Sequence, residues 1–207
     1  MPPRRLLAVD LATMTGWALF VEGQLDSFGQ IDGHSETSSS SPYDLVDKTA
    51  HAARRTYERV VSCQPDAVVL EETNIGGRSG QRSQKFLEWE HLALLQMLEQ
   101  VPGRTSVSYL QSRQWRAAIG LGLSKADKAQ NKILSQVKRK LKDKLGRKPT
   151  PTELSAAKAD AGISGKRTIK HASVDWVNAR HKLNLKKTQA DAADAICLGD
   201  AFLILNP

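Results

Sequence analysis

The sequence has little of what membrane-embedded and secreted proteins need. No apolar run approaches the about 20 residues that a membrane span requires, and the opening MPPRRLL leads into a strand-like stretch without the pattern of a secretory signal. Only two cysteines, Cys63 and Cys197, and five scattered histidines are present. This excludes a disulfide framework and predicts neither a zinc site nor a histidine metal site. We expect a cytoplasmic protein that binds no membrane and keeps its thiols buried and reduced.

Acidic residues are also in deficit. The 207 residues include 30 lysines and arginines against 22 acidic residues, for a formal charge of +8 and an isoelectric point near 9.6. Such a balance favours a polyanionic partner. Because neither internal repeats nor a convincing linker occurs, we predict one domain over residues 1–207. Its stretch at about 121–168 is rich in lysine and arginine and is predicted to be a basic helical insertion.

Apolar runs and helical periodicity alternate along the chain, which predicts an α/β domain. Five segments have the pattern of strands: 5–10, 17–21, 25–31, 67–72 and 104–110. Five others outside the basic stretch have helical spacing: 43–62, 83–99, 112–120 (capped by Ser112), 171–184 and 189–204.

The last predicted helix contains QADAADAICLGDAF, in which Asp191 and Asp194 stand three residues apart. At that spacing the two carboxylates project from one side of the helix and repel each other. The same side carries Leu198 and Phe202, whereas Asp200 points nearly opposite. Two acids therefore lie on a stripe that should face the core, and a compensating group is expected.

Acids also end two of the predicted strands. Asp10 ends the first strand, and Glu71 or Glu72 ends a later one; since adjacent strand residues face opposite sides, only one of the pair can point into a common site. If the strands are neighbours and the last helix packs across them, four carboxylates converge. Mg²⁺ or Mn²⁺ is the natural compensation for such a cluster. Two ions about 4 Å apart suit phosphodiester cleavage.

Three segments in this order, LLAVDLATMTGWAL, QPDAVVLEETN and QADAADAICLG, resemble the RuvC family of Holliday-junction resolvases, and its bacteriophage members in particular. The resemblance covers residues 5–120 and 170–204. It implies an RNase H-like α/β fold, with a mixed five-stranded sheet flanked by helices. The spacing from Pro65 and Asp66 selects Glu71 over Glu72. The implied catalytic residues and metal ligands are Asp10, Glu71, Asp191 and Asp194.

The resemblance further implies an Mg²⁺-dependent endonuclease that binds two ions, with Mn²⁺ able to substitute. Its expected partners are branched DNA, above all the four-way junction, and a second copy of the chain in a homodimer. Its expected location is the cytoplasm of a bacterial cell or of a phage-infected host. Two alternatives stay open: an architectural protein that binds junctions without cutting them, and an RNase H-like nuclease that acts on another nucleic-acid structure.

The chain departs from the family's pattern at three places. Leu11 and Ala12 replace the common Pro-Gly after the first acid, Asn74 stands where cellular enzymes carry an aromatic wedge, and the basic insertion is additional. Because of the insertion, the family's DNA-binding lysine matches either Lys128 or Lys170. The residues predicted to contact DNA are Arg78, Arg82, Lys85, Arg113, Arg116, Lys125, Lys128 and Lys170.

Overall fold

The computed structural model describes residues 3–33, 43–72, 81–100, 105–163 and 165–207, together with the side chains of these residues except at 81–83. The chain forms two compact units, one of residues 1–121 with 173–207 and one of residues 122–172. Within the described ranges, no helix is both long and apolar enough to cross a membrane.

A five-stranded mixed sheet organises the first unit, as the sequence predicts. The strands lie in the order β3-β2-β1-β4-β5, and β1 pairs antiparallel with β2 but parallel with β4. The remaining pairs are antiparallel for β2 with β3 and parallel for β4 with β5. The strands are β1 (Arg5–Asp10), β2 (Met14–Val21), β3 (Gln24–Asp32), β4 (Ala67–Glu72) and β5 (Ser106–Gln111).

The turn between β2 and β3 consists of Glu22 and Gly23, which have φ angles of 50° and 77°. Two consecutive positive φ angles are typical of a type I′ turn, whose twist matches that of an antiparallel hairpin. β2 ends at Val21 as predicted, but it begins three residues before the predicted start at Trp17, and β3 begins one residue before its predicted start at Leu25.

Helices cover both faces of the sheet because its strands are apolar on both sides. On one face the core includes Leu6, Ala8 and Val69 with residues of the last helix, and on the other it includes Leu7, Val9 and Leu70. The described helices are α1 (Asp44–Cys63), α2 (Gln81–Glu99), α3 (Ser112–Ala118), α4 (Lys125–Leu145), α5 (Pro151–Asp160), α6 (Ile169–His181) and α7 (Ala190–Leu205). A short 3₁₀ turn at Lys187–Gln189 precedes α7.

Two local expectations are wrong. The N-cap of α3 is Gln111, whose backbone N–H donates to the Gln114 side chain at 2.9 Å, so Ser112 lies inside the helix and not at its cap. In the last helix, burial is not limited to the predicted core-facing stripe: all its residues from Ala192 to Phe202 are buried. Asp200 is buried as well, because the His181 side chain lies 2.7 Å from its carboxylate and takes the place of water.

The second unit is helical and contains α4 and α5. Both helices begin with a capping box, in which Ser124 pairs with Asp127 and Thr150 with Glu153. Gly146 ends α4 with a φ of 63°, a left-handed conformation that favours glycine. These start and stop signals explain why a segment with few buried apolar residues is helical.

Candidate functional site

Asp10 and Glu71 lie at the carboxyl ends of neighbouring parallel strands, as the last residue of β1 and the second-last residue of β4. The last paired residues of β1 and β4 are Val9 and Leu70, and the two acids follow directly after that pair. Both continue the alternation of Ala8 and Val69, which point to the face covered by α7. Because parallel strands lie about 4.8 Å apart, the two carboxylates start from adjacent points on one side of the sheet.

Glu72 faces the opposite side of the sheet. It follows the alternation of Val68 and Leu70, whose side chains lie in the core under α1 and α2. Its charge acts on Tyr109: burial first, and then this carboxylate, raise the pKa of the Tyr109 phenol above its ordinary value. The structure thus places Glu71, and not Glu72, on the side of Asp10.

Asp191 is brought to the same edge by close packing of α7 on β2. Gly16 pairs with Asp10 across the strands, and a Cβ on Gly16 would collide with the main-chain carbonyl of Asp191. Only a residue without a side chain lets the first turn of α7 approach this closely. On the neighbouring strand, the Gln30 amide donates a hydrogen bond of 3.1 Å to Asp191 Oδ2. The first turn of α7 is therefore fixed beside the end of β1.

Asp194 follows one turn later in α7 and is 5% exposed. Its charge is felt at Cys197, three residues further on, where burial and then the nearby Asp194 raise the pKa of the thiol well above its ordinary value. Both cysteines of the chain are buried and free, as the sequence predicts. The structure thus gathers Asp10, Glu71 and the first turns of α7 at one edge of the sheet.

Two side chains that the sequence did not assign to the site support Glu71. The Ser112 hydroxyl donates to Glu71 Oε1, since its position inside the first turn of α3 frees it from capping. The His91 ring lies between the carbonyl oxygens of Leu87, at 2.9 Å, and Glu71, at 3.3 Å. The chain positions of Ser112 and Glu71 give no signal for this contact, because it depends on the pairing of β4 with β5.

A buried carboxyl, Glu90, lies on the other side of the sheet. The side chain is 0% exposed, and neither of its oxygens hydrogen-bonds within the described part of the chain. Burial raises the pKa of Glu90 to about 8, and the nearby Thr15 hydroxyl offsets only part of that effect. Glu90 stands four residues from Phe86 and four from Leu94, two buried residues of α2, and this spacing is the sequence signal that Glu90 is buried.

No family model and no curated protein matches the sequence. A solved structure of RuvC from T. thermophilus in complex with a Holliday junction substrate matches 97% of this chain and 92% of its own, with a TM-score of 0.50 and 13% identity. The chain has a RuvC-like fold. The mixed sheet and its flanking helices thereby agree with the predicted fold class.

Two further structures are similar to this RuvC-like chain at lower TM-scores. Another Thermus thermophilus RuvC structure has a TM-score of 0.39 and 19% identity, covering 77% of this chain and 97% of that one. The yeast mitochondrial Holliday junction resolvase Ydc2 has a TM-score of 0.49 and 10% identity, covering 98% of this chain and 80% of that one.

The donor set at this edge of the RuvC-like fold suits a hard divalent cation. Carboxylate oxygens are the ligands that Mg²⁺ and Mn²⁺ prefer, and here they come from two strand ends and one helix. Among the described residues, however, no three acidic, histidine or cysteine side chains stand close enough to share one ion. Gln30 engages one oxygen of Asp191 and Ser112 engages one oxygen of Glu71, so both carboxylates are held by neighbouring side chains.

The residues predicted to contact DNA differ in exposure, and some of them lie outside the described part of the chain. Arg78 and the side chain of Arg82 lie outside the described residues, as does Asn74. Arg116 is half-buried, with its guanidinium 4.9 Å from the ring of the fully buried Trp115. The others are exposed: Lys85, Arg113, Lys125, Lys128 and Lys170.

Proposed function

We propose that this chain is a metal-dependent endonuclease that cleaves branched DNA and resolves four-way junctions. The observation that supports it is the arrangement at the sheet edge. Asp10 and Glu71 follow one register pair of parallel strands, and the carbonyl of Asp191 abuts Gly16, the partner of Asp10. A protein that merely binds phosphates gains nothing from carboxylates gathered at one edge, because they repel the backbone.

Asp10, Glu71, Asp191 and Asp194 would hold Mg²⁺ in this site. When bound, two such ions activate a water molecule and stabilise the departing 3′ oxygen in phosphodiester hydrolysis. The chain itself orients the ligands. Gln30 holds Asp191 from β3, and Ser112 holds Glu71 from α3. No side chain has to act as the nucleophile.

Branched DNA is the proposed substrate for two reasons. The T. thermophilus protein of similar fold was solved with a Holliday junction substrate, and this chain aligns with nearly all of it. The excess of basic residues suits a partner recognised by its backbone and shape, because contacts to phosphate carry no sequence information.

We further propose that the enzyme is a homodimer, since resolving a junction needs two cuts. The solvent-facing side of α2 supports this part of the proposal. Trp89 is 39% exposed and Leu92 is 55% exposed, three residues apart on the same side of the helix. Large apolar side chains in such positions are typical of protein–protein contacts.

A gel assay on a four-way junction tests the activity. The wild-type protein should bind the junction in EDTA and cut it when Mg²⁺ is added, whereas Asp10→Asn should bind without cutting. Asp26→Asn, which changes an exposed acid of β3 by the same charge, is the matched control and should cut normally. Binding without cleavage by the wild-type protein in Mg²⁺ and in Mn²⁺ would favour the architectural alternative. Cleavage of an RNA–DNA hybrid in preference to the junction would favour the other one.

A further inference from the structure

The second unit carries the positive charge of the whole protein. Residues 122–172 contain fourteen lysines and arginines and four acidic residues, a net charge of +10. Since the complete chain is +8, the remainder is net negative by two charges. The compact unit that holds the sheet and its acids is therefore slightly acidic, and the net positive charge that attracts a polyanion belongs to the other unit.

Within that unit, the basic residues of α4 are sorted by face. Lys128, Lys132, Ser135, Arg139 and Lys142 follow one another at spacings of four, three, four and three residues, so they form one stripe along the helix. All five are exposed. The stripe is about 21 Å long at 1.5 Å per residue. We refer to these residues as the α4 stripe.

The acid near the start of α4, Asp127, is directed into internal contacts and not towards the stripe. Asp127 accepts a hydrogen bond from Ser124 and forms an ion pair of 2.9 Å with Arg167. The Ser124 contact, followed by Arg167, holds the pKa of Asp127 below its ordinary value. Asn131 makes two hydrogen bonds with the main chain of Arg167, at 2.8 and 2.9 Å. These contacts fix the rotation of α4 about its axis within the unit.

Glu153 is likewise engaged, with an ion pair of 2.7 Å to Arg147. By contrast, within the part of the chain that the structure describes, no ion pair or side-chain hydrogen bond occupies Lys128, Lys132, Arg139 or Lys142. Leu134, on the opposite side of α4, is 3% exposed and anchors the helix. The helix is thus held by one face and presents four unoccupied cations on the other.

We propose that the α4 stripe is a binding surface for the phosphate backbone of duplex DNA. A duplex segment as long as the stripe carries on the order of twelve phosphates, enough for each of the four cations to contact one. A stripe of cations on a rigid helix suits a regular backbone better than it suits an irregular acidic protein surface. The proposal depends on the proposed function only for the choice of DNA as the polyanion.

Binding of the full-length protein to a linear DNA duplex in EDTA, followed by fluorescence anisotropy between about 50 and 200 mM salt, tests this surface. One variant replaces Lys128, Lys132, Arg139 and Lys142 by Gln. The matched control replaces four other exposed lysines by Gln and so removes the same charge: Lys138, Lys140, Lys144 and Lys148. The helical signal in circular dichroism should be the same for both.

The stripe variant should lose about 3.6 units from the slope of log affinity against log salt, since each of the four phosphate contacts contributes roughly 0.9. The control should lose less than about 1 unit, because general attraction does not need a specific face. Asp143→Asn, which removes an acid next to Arg139, should tighten binding. Equal losses in both variants, no loss in either, or an effect seen with duplex RNA but not with DNA would each overturn the proposal.

Cleavage is measured separately, at saturating protein and Mg²⁺ in a single turnover. The control variant should then cut a four-way junction at the wild-type rate, because its four replaced lysines belong neither to the four acids nor to the stripe. If the wild-type protein cuts nothing while the stripe variant still loses its salt slope, the proposed nuclease activity fails and the binding surface stands. If the wild-type protein cuts the junction and the stripe variant keeps its salt slope, the proposed activity stands and the proposed binding surface is refuted.

Discussion

Gly16→Ala should disturb the candidate site without touching any of its side chains. The added Cβ would lie about 1 Å inside the 3.0 Å limit that real Cβ atoms respect, against the main-chain carbonyl of Asp191. The group that the new Cβ meets is a main-chain carbonyl, not a side chain that could rotate away. The first turn of α7 must therefore move. Overpacking of this kind costs about 3 kcal/mol at the upper end of the usual range, or a loss of roughly 6–12 °C in Tm. A displacement of about 1 Å at a reacting centre reduces turnover by about 100-fold.

Thermal unfolding and single-turnover cleavage of a four-way junction measure the two effects. Gly122→Ala is the neutral control, because nothing lies within 4 Å of its Cβ position. Gly199→Ala is the control for stability alone: its Cβ would strike the Phe20 ring, two turns of α7 beyond Asp191. Gly199→Ala should lower Tm by a similar amount yet slow cleavage much less. A Gly16→Ala protein with wild-type Tm and rate would refute the close seating of α7 on β2.

Three further predictions concern single carboxyl groups. Glu90 is protonated in the folded protein up to a pKa of about 8 but ionises near 4.5 when unfolded, so the free energy of unfolding should fall as pH rises between these values, by about 2 kcal/mol from pH 6 to 8. Glu90→Gln should remove this fall in urea titrations, whereas Glu88→Gln, on the exposed side of α2, should retain it; parallel pH profiles for wild type and Glu90→Gln would contradict the assignment. Glu71→Gln should abolish junction cleavage and Glu72→Gln should not, because the two side chains lie on opposite faces of the sheet; equal losses would mean that the end of β4 is misread. Asp194→Asn should abolish cleavage while binding in EDTA stays equal or tightens, and substantial cutting at saturating Mg²⁺ would remove Asp194 from the site.

Much of this architecture is readable from local pattern. Apolar runs locate β1 and β4 to the residue, because a strand buried on both faces has few polar interruptions. Because side chains alternate along a strand, only one of Glu71 and Glu72 can share the face of Asp10. The structure shows that it is Glu71. The positions of Asp191 and Asp194 on a helix packed over the sheet also follow from their apolar surroundings.

Contacts between distant segments are what local pattern does not predict. Gln30 meets Asp191 across 161 residues of sequence, and Ser112 meets Glu71 across 41. Each depends on strand order, which the sequence does not specify by itself. The sequence misplaces Ser112 for the same reason, since a serine before a helix is most often a cap. The burial of Asp200 is also not predictable locally, because its partner, His181, lies on another helix.

The buried thiol of Cys197 gives this fold a built-in reporter. It is 0% exposed and lies on α7 three residues from Asp194 and three from Asp200, so a thiol reagent can modify it only when that helix leaves the sheet. Its labelling rate therefore measures how often the acid-bearing helix opens in the native protein. Cys63, at the end of α1, reports independently on the opposite face of the sheet. The labelling rates of the two thiols thus measure separately how often the helices on each face of the sheet open.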